Sequence, residues 1–205
     1  MKCLDRRGYT YTVYDIGGDR VLKKMKPAVL QRLLHLSSGN SKKYIEQHRT
    51  RARLLAETCR DKALIGNPQY EIDGSYTQDR CEVIDTYFLS HTLEENKKCV
   101  DMFIECIFET WKNGFSDIIF NFTRNNGLSH AGKVVLFDFN EITFVKNEVL
   151  ALIETERWLH CYSFTKDLHA GALKDYYAQA MATAMTRENL DRYWKDNEQL
   201  LAKTQ

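Results

Sequence analysis

The run Val134-Val135-Leu136-Phe137, ended by Asp138, constrains this chain more than any other feature. An unbroken apolar run after Gly132-Lys133 predicts a buried strand. A carboxylate is costly to bury unless it meets a cation, so Asp138 is predicted to face a site rather than the core. The segment that holds it, Gly114 to Phe144, carries a second pair of polar anchors, Asp117 and Asn121, in the run Ser-Asp-Ile-Ile-Phe-Asn. Asp, Asn and a strand-end Asp make an oxygen set of the kind magnesium takes when phosphates fill its other positions.

The chain before this segment reads as strands and turns with a helix among them. Tyr9 to Tyr14 is rich in β-branched and aromatic residues, Gly17-Gly18 is a hairpin turn signal, and Arg20-Val21-Leu22-Lys23 is the return strand. Lys2-Cys3-Leu4 predicts a further strand. Because side chains alternate along a strand, one of Lys23 and Lys24 must point to the inner face. Pro27 opens a helix expected to run through Leu36, and Ser37-Ser38-Gly39-Asn40 breaks it. A second helix is predicted from Ser41 to about Arg60, with Glu46 early and Glu57 late. Read alone, these glutamates are solvated helix charges with Arg49, Thr50 and Arg53 beside them. Strands follow at Gln69–Ile72 and Ser75–Ile84 around the turn Asp73-Gly74.

From Leu93 the pattern changes. Val100, Phe103, Ile104, Ile107, Phe108 and Trp111 recur at helical spacing until Asn113-Gly114 stops the helix. This helix delivers the chain to the Asp117 loop. A surface loop is expected over Asn125–Ala131. After Phe144 only helices are predicted, over about Glu148–Tyr162, Ala170–Met185 and Arg187–Lys203. Strands first and helices afterwards predict an α+β, two-lobed chain: one domain over 1–205, with a strand-rich lobe over 1–84 and a helical lobe over 85–205.

A formal net charge of +1 gives no reason to expect nucleic acid or an anionic membrane as partner. No apolar run has the length of a membrane span, and Met1 to Asp5 does not predict a signal peptide. The six cysteines contain no CxxC pair, which predicts reduced thiols in a cytoplasmic protein.

The order of these features resembles the protein-kinase-like superfamily: hairpin lysine, helix glutamate, hairpin, long helix, Asp/Asn loop, strand, Asp-Phe. Over about Lys2 to Phe144 the chain is similar to compact bacterial members such as lipopolysaccharide-core kinases and aminoglycoside phosphotransferases. The resemblance implies that Lys23, paired with Glu46, contacts the phosphates of ATP. It implies that Asp117 is the base, that Asn121 and Asp138 hold Mg2+, and that Gly8 is the surviving glycine of the phosphate loop. Arg6 and Tyr11 stand where the other two glycines would be. Asp117 precedes Asn121 by four residues where the family has five, which places Ser116 at the strict base position. Asn140 replaces the glycine after Asp-Phe. The implied function is ATP- and magnesium-dependent phosphoryl transfer to a hydroxyl of a small molecule or of the protein itself. The alternative is a pseudokinase, a nucleotide-binding or protein-binding regulatory module without turnover. The little room after Phe144 for an activation segment favours a small acceptor over a docked peptide.

Overall fold

The structure, a computed structural model, describes residues 1–5, 10–27 and 42–197. Gly8 and the helix expected after Pro27 lie outside these residues. The chain is α+β. Strands β1 (Lys2–Asp5), β2 (Tyr11–Gly17), β3 (Arg20–Met25), β4 (Gln69–Tyr70) and β5 (Tyr76–Asp79) form one antiparallel sheet in the order β1-β2-β3-β5-β4. The β2–β3 turn runs through Gly17, Gly18 and Asp19, all at positive φ (80°, 59° and 57°), which two glycines accept without strain. Lys23, in the central strand, pairs with Val13 on one side and Tyr76 on the other. It takes the inner face with Val21, while Lys24 is exposed, as strict alternation requires.

Helix α1 (Lys42–Thr58) buries Ala52, Leu55 and Ala56 in the core. Beyond β5 the structure departs from the expected long return strand. Only Tyr76–Asp79 stays in the sheet, and β6 (Glu82–Val83) pairs instead with β8 (Asn126–Leu128), before the short helix α2 (Ile84–Ser90). The surface loop expected over Asn125–Ala131 is likewise corrected. Asn126–Leu128 is the middle strand of a three-stranded sheet β6-β8-β9, where β9 is Val134–Leu136. Asn-Gly favours a turn locally, but two flanking strands satisfy the backbone and override that preference. Glycine is needed there. A Cβ at Gly127 would sit 2.7 Å from both Cys81 Sγ and the Glu82 carbonyl.

Helix α3 (Leu93–Lys112) is the central helix, and Thr92 and Glu95 cap its start reciprocally in a capping box. Its face of Cys99, Val100, Phe103, Cys106, Ile107 and Trp111 is buried. Gly114, at φ +78°, ends it against the terminal segment, where a Cβ would lie 2.8 Å from the Lys195 carbonyl. The chain then forms the short strand β7 (Ser116–Asp117), a helical turn α4 (Phe122–Asn125), β8, β9 and β10 (Ile142–Thr143). Strand β10 returns to pair with β7, so Ile142 opposes Asp117.

The helices after Phe144 are shorter than their periodicity predicts. Helix α5 covers Lys146–Glu154, and Glu156, at φ +47°, turns the chain into irregular turns ending in a π-helical turn at Ser163–Asp167. Helix α6 is Ala172–Ala184 and α7 is Arg187–Tyr193. Among the described residues, no helix is long and apolar enough to cross a membrane.

Candidate functional site

Strand β3 and the end of β9 bring Lys23 and Asp138 near one another from distant parts of the chain. Lys23 is 6% exposed, and its Nζ donates to the Phe137 carbonyl at 2.6 Å. The ammonium also lies 5.3 Å from the Tyr76 ring centre and 5.1 Å from that of Phe137. Burial pushes the Lys23 pKa down, with Asp138 and then Cys81 opposing it. Gln78 Nε2 bridges the Phe137 and Ile65 carbonyls at 3.1 and 2.7 Å, which fixes the peptide that Lys23 grips.

Asp138 is held by its backbone. The amides of Phe137 and Asp138 both donate to the Asn125 carbonyl, at 2.9 and 3.1 Å, and Asn140 Nδ2 donates to Asp138 Oδ1 at 2.7 Å. Asp138 also acts on three tyrosines that pack over this end of the sheet. Tyr76 stacks on Tyr70 at 4.7 Å and meets Tyr11 edge-on at 5.2 Å and Phe139 at 5.9 Å. Burial is the main cause that pushes the Tyr11 hydroxyl up to about 12, with Arg49 lowering it and Asp138 raising it. Burial and Asp138 likewise raise Tyr70 and Tyr76.

Glu46 is exposed on α1, and the charges acting on Lys23 are those of Asp138 and Cys81. The structure therefore does not bring Glu46 to Lys23. One turn further on, Arg49 occupies the helix face that Ala52 and Ala56 bury. Its Nε and Nη2 are sealed from solvent and have no hydrogen-bond partner among the described residues. The sequence sets Arg49 beside solvated glutamates, which hides this burial. The signal was helical spacing: Arg49, Ala52, Ala56 and Cys59 share one stripe.

The other predicted anchors sit behind this junction. Asp117, in β7, accepts the Ile119 amide on Oδ1 at 2.9 Å, while its Oδ2 is buried without a donor. It lines a small cavity under α3 with Phe103, Cys106, Thr110 and Asn126, whose Oδ1 also lacks a donor. Burial, then Glu141 and Asp138, raise the Asp117 carboxyl to about 7, against the Ile119 amide and the Asn125 side chain. Phe120, between Asp117 and Asn121, is held at φ +58°, a strained conformation for a bulky residue. Asn121 is turned toward the C-terminal half: its Oδ1 accepts the Tyr162 and Ser163 amides at 2.9 and 3.3 Å. Asn125, which the sequence reading placed in a surface loop, stands nearer the centre. Its carbonyl holds Asp138 and its side chain acts on Asp117.

Among the described residues, no three His, Cys, Asp or Glu side chains gather to hold a metal ion. The chemistry at Asp138 still fits magnesium, which needs only one or two carboxylates when phosphate oxygens and waters complete its shell. The chain matches no family model and no curated protein.

Proposed function

We propose that this protein is a kinase-like nucleotide-binding module that takes ATP with magnesium at the Lys23–Asp138 junction, without efficient phosphoryl transfer. One observation carries the reading. A buried ammonium on the central strand grips the carbonyl of Phe137, the residue immediately before a strand-end carboxylate. Cation and carboxylate are thereby held together at one end of the sheet, as binding a metal–polyphosphate ligand requires. Magnesium, when bound, supplies charge neutralisation on the phosphates. Lys23 supplies a second cation, and its lowered pKa reflects a site that keeps water out.

The absence of turnover follows from Asp117. A general base must come within hydrogen-bonding reach of the hydroxyl it deprotonates. Asp117 spends one oxygen on the Ile119 amide, and its other oxygen is sealed from solvent. The phosphotransferase reading, with a small molecule or the protein itself as acceptor, keeps one observation in its favour: a carboxyl near 7 is poised for proton transfer at neutral pH.

Thermal unfolding of the wild type and of Asp138→Ala, with ATP and with or without magnesium, tests the proposal. At a hundred times its dissociation constant a ligand adds about 2.7 kcal/mol of stability. A magnesium-dependent rise in midpoint that Asp138→Ala abolishes is the expected result, and no rise in the wild type would falsify the nucleotide site. Release of phosphate or labelling of an acceptor, lost in Asp117→Asn, would favour the enzyme.

A further inference from the structure

We infer that Asp117 is a proton-held latch: it stands protonated in the folded protein and gives its proton, across the small cavity under α3, to the Asn126 carboxamide oxygen, tying β7 to β8. The latch does not depend on the nucleotide reading, although the hairpin it fastens is the one that ends at Asp138.

Two acceptors belong to residues lining this cavity, Asp117 Oδ2 and Asn126 Oδ1, and neither has a donor among the described residues. Asn126 is 2% exposed, and its Nδ2 donates to the Val135 carbonyl at 3.3 Å. Turning that amide over would set oxygen against oxygen, so Oδ1 is the atom left for the cavity. The hydroxyls in the wall cannot serve it. Thr110 commits its proton to the Ile107 carbonyl at 2.7 Å, and Ser116 donates to the Asp117 carbonyl at 3.1 Å while accepting Trp111 Nε1. Cys106 offers only a thiol, a weak donor. A carboxylate here would leave a bare charge against a bare carbonyl oxygen. A carboxylic acid removes both deficits. Its O–H goes to Asn126 Oδ1, and its other oxygen keeps the Ile119 amide at 2.9 Å.

The surrounding charges favour the same state. Glu141 and Asp138 act on Asp117 as like charges. The Cys106 and Cys161 thiols and the Tyr177 hydroxyl, from α3, the turns before α6 and α6 itself, are held neutral by burial, and Glu109 acts on Cys106 along α3. Arg51 approaches from α1 but donates to the Ile142 carbonyl at 3.4 Å, on the strand opposite Asp117. With burial holding the carboxyl near 7, the latch is closed in mild acid and opens as pH passes that value. Asn126 pairs with Leu136 across β8 and β9, and the neighbouring Asn125 carbonyl accepts the Phe137 and Asp138 amides. Loss of the proton therefore loosens the hairpin that presents Asp138.

The test is infrared difference spectroscopy and amide hydrogen exchange on the full chain across pH 5–8, for the wild type, Asp117→Asn and Asn126→Leu. A carboxylic-acid C=O band is expected in the wild type at pH 6, absent from Asp117→Asn and displaced in frequency by Asn126→Leu. Opening of the β8–β9 amides, corrected for the chemical exchange rate, is expected to rise by about tenfold or more between pH 5 and 7 in the wild type. It should stay level in Asp117→Asn, whose amide supplies the donor at every pH. No acid band in the wild type at pH 6 overturns the inference and leaves the two acceptors to a buried water. A band that Asn126→Leu does not move gives the proton to a different acceptor and also overturns it. If Asn126→Leu does not fold, the exchange comparison decides alone: equal pH dependence in the wild type and Asp117→Asn sinks the latch. So does an Asp117→Asn protein that opens more readily than the wild type at pH 8. None of these readouts needs a ligand, so failure of the nucleotide site leaves them unchanged.

Discussion

Around Asn121, polar groups are matched to one another. Asn121 accepts two amides, Thr123 bonds Ser163 and Asp167, and Arg124 holds Asp167 through two bonds of 2.8 Å while its guanidinium lies 4.3 Å from the Tyr162 ring centre. Around Lys23 the balance is different. Lys23 is stripped of water against a carbonyl and two rings, and Gln78, which shares that carbonyl, has its Oε1 sealed with no partner among the described residues. The first region fastens the C-terminal turns to α4. The second carries polar groups that folding alone does not satisfy, and each such group calls for an explanation. A fully satisfied network is a poor place to seek a site, however many charged residues it holds.

The largest effect should come from breaking the matched region. Asp167→Ala strands Arg124 and Thr123, and because Asp167 is only 14% exposed the loss should reach about 3 kcal/mol in denaturant unfolding. Next is Asp117→Asn. Its amide offers a donor where two acceptors now face one cavity and removes a carboxylate that burial keeps near 7. At pH 8 the variant should be clearly more stable than the wild type, and at pH 4 almost nothing should separate them.

The two carboxylates should also leave opposite pH signatures. Asp117 has a folded pKa raised to about 7, so the stability it contributes is complete below the unfolded value near ~4 and is lost as pH rises to 7. Burial opposes the charge of Asp167, but Arg124 and Thr123 outweigh it and hold the carboxyl below its ordinary value. Its contribution is present above the unfolded pKa and lost as acid protonates it. Unfolding curves across pH 3–8 for the wild type and both variants would separate these slopes; identical slopes would sink the contrast.

Smaller still is Asn121→Ala, which leaves the Tyr162 and Ser163 amides without an acceptor and should cost about 1 kcal/mol. The same variant should keep its magnesium-dependent ATP shift. Loss of that shift would restore Asn121 as a metal ligand. Lys23→Met should change stability without ligand least, within about 1 kcal/mol, since Gln78 still serves the Phe137 carbonyl. It should nonetheless abolish ATP binding. The pair reverses the usual link between stability and function, and a Lys23→Met protein that binds ATP normally would remove the site from β3.

What was legible in the sequence is local chemistry. Alternation placed one lysine of Lys23-Lys24 inward, glycines placed the β2–β3 turn, and helical spacing gave the buried face of α3. The apolar run ending in Asp138 gave a buried strand with its carboxylate at the exit. What stayed hidden depends on partners distant in the chain. Asn126–Leu128 is a strand only because Glu82 and Val83 pair with it. The helix expected over Glu148–Tyr162 stops early because Glu156 adopts a left-handed conformation that no glycine announces. In the candidate site, the order of motifs left unread which face of α1 is buried. Glu46 fits a familiar order of motifs, whereas the small residues Ala52 and Ala56 fix which face is buried, and that face carries Arg49.

The contact at Gly127 bears on how the two halves of the molecule can move. The chain passes from the large sheet to the helical half through Arg80–Val83, a stretch that would ordinarily serve as a loose hinge. Here its backbone lies against Gly127 so closely that even a methyl group has no room. A rocking motion of the sheet therefore has no free pivot: it must carry the β8–β9 hairpin with it. That hairpin ends in the peptide Lys23 holds, so opening would arrive at Asp138 as a twist of its own strand.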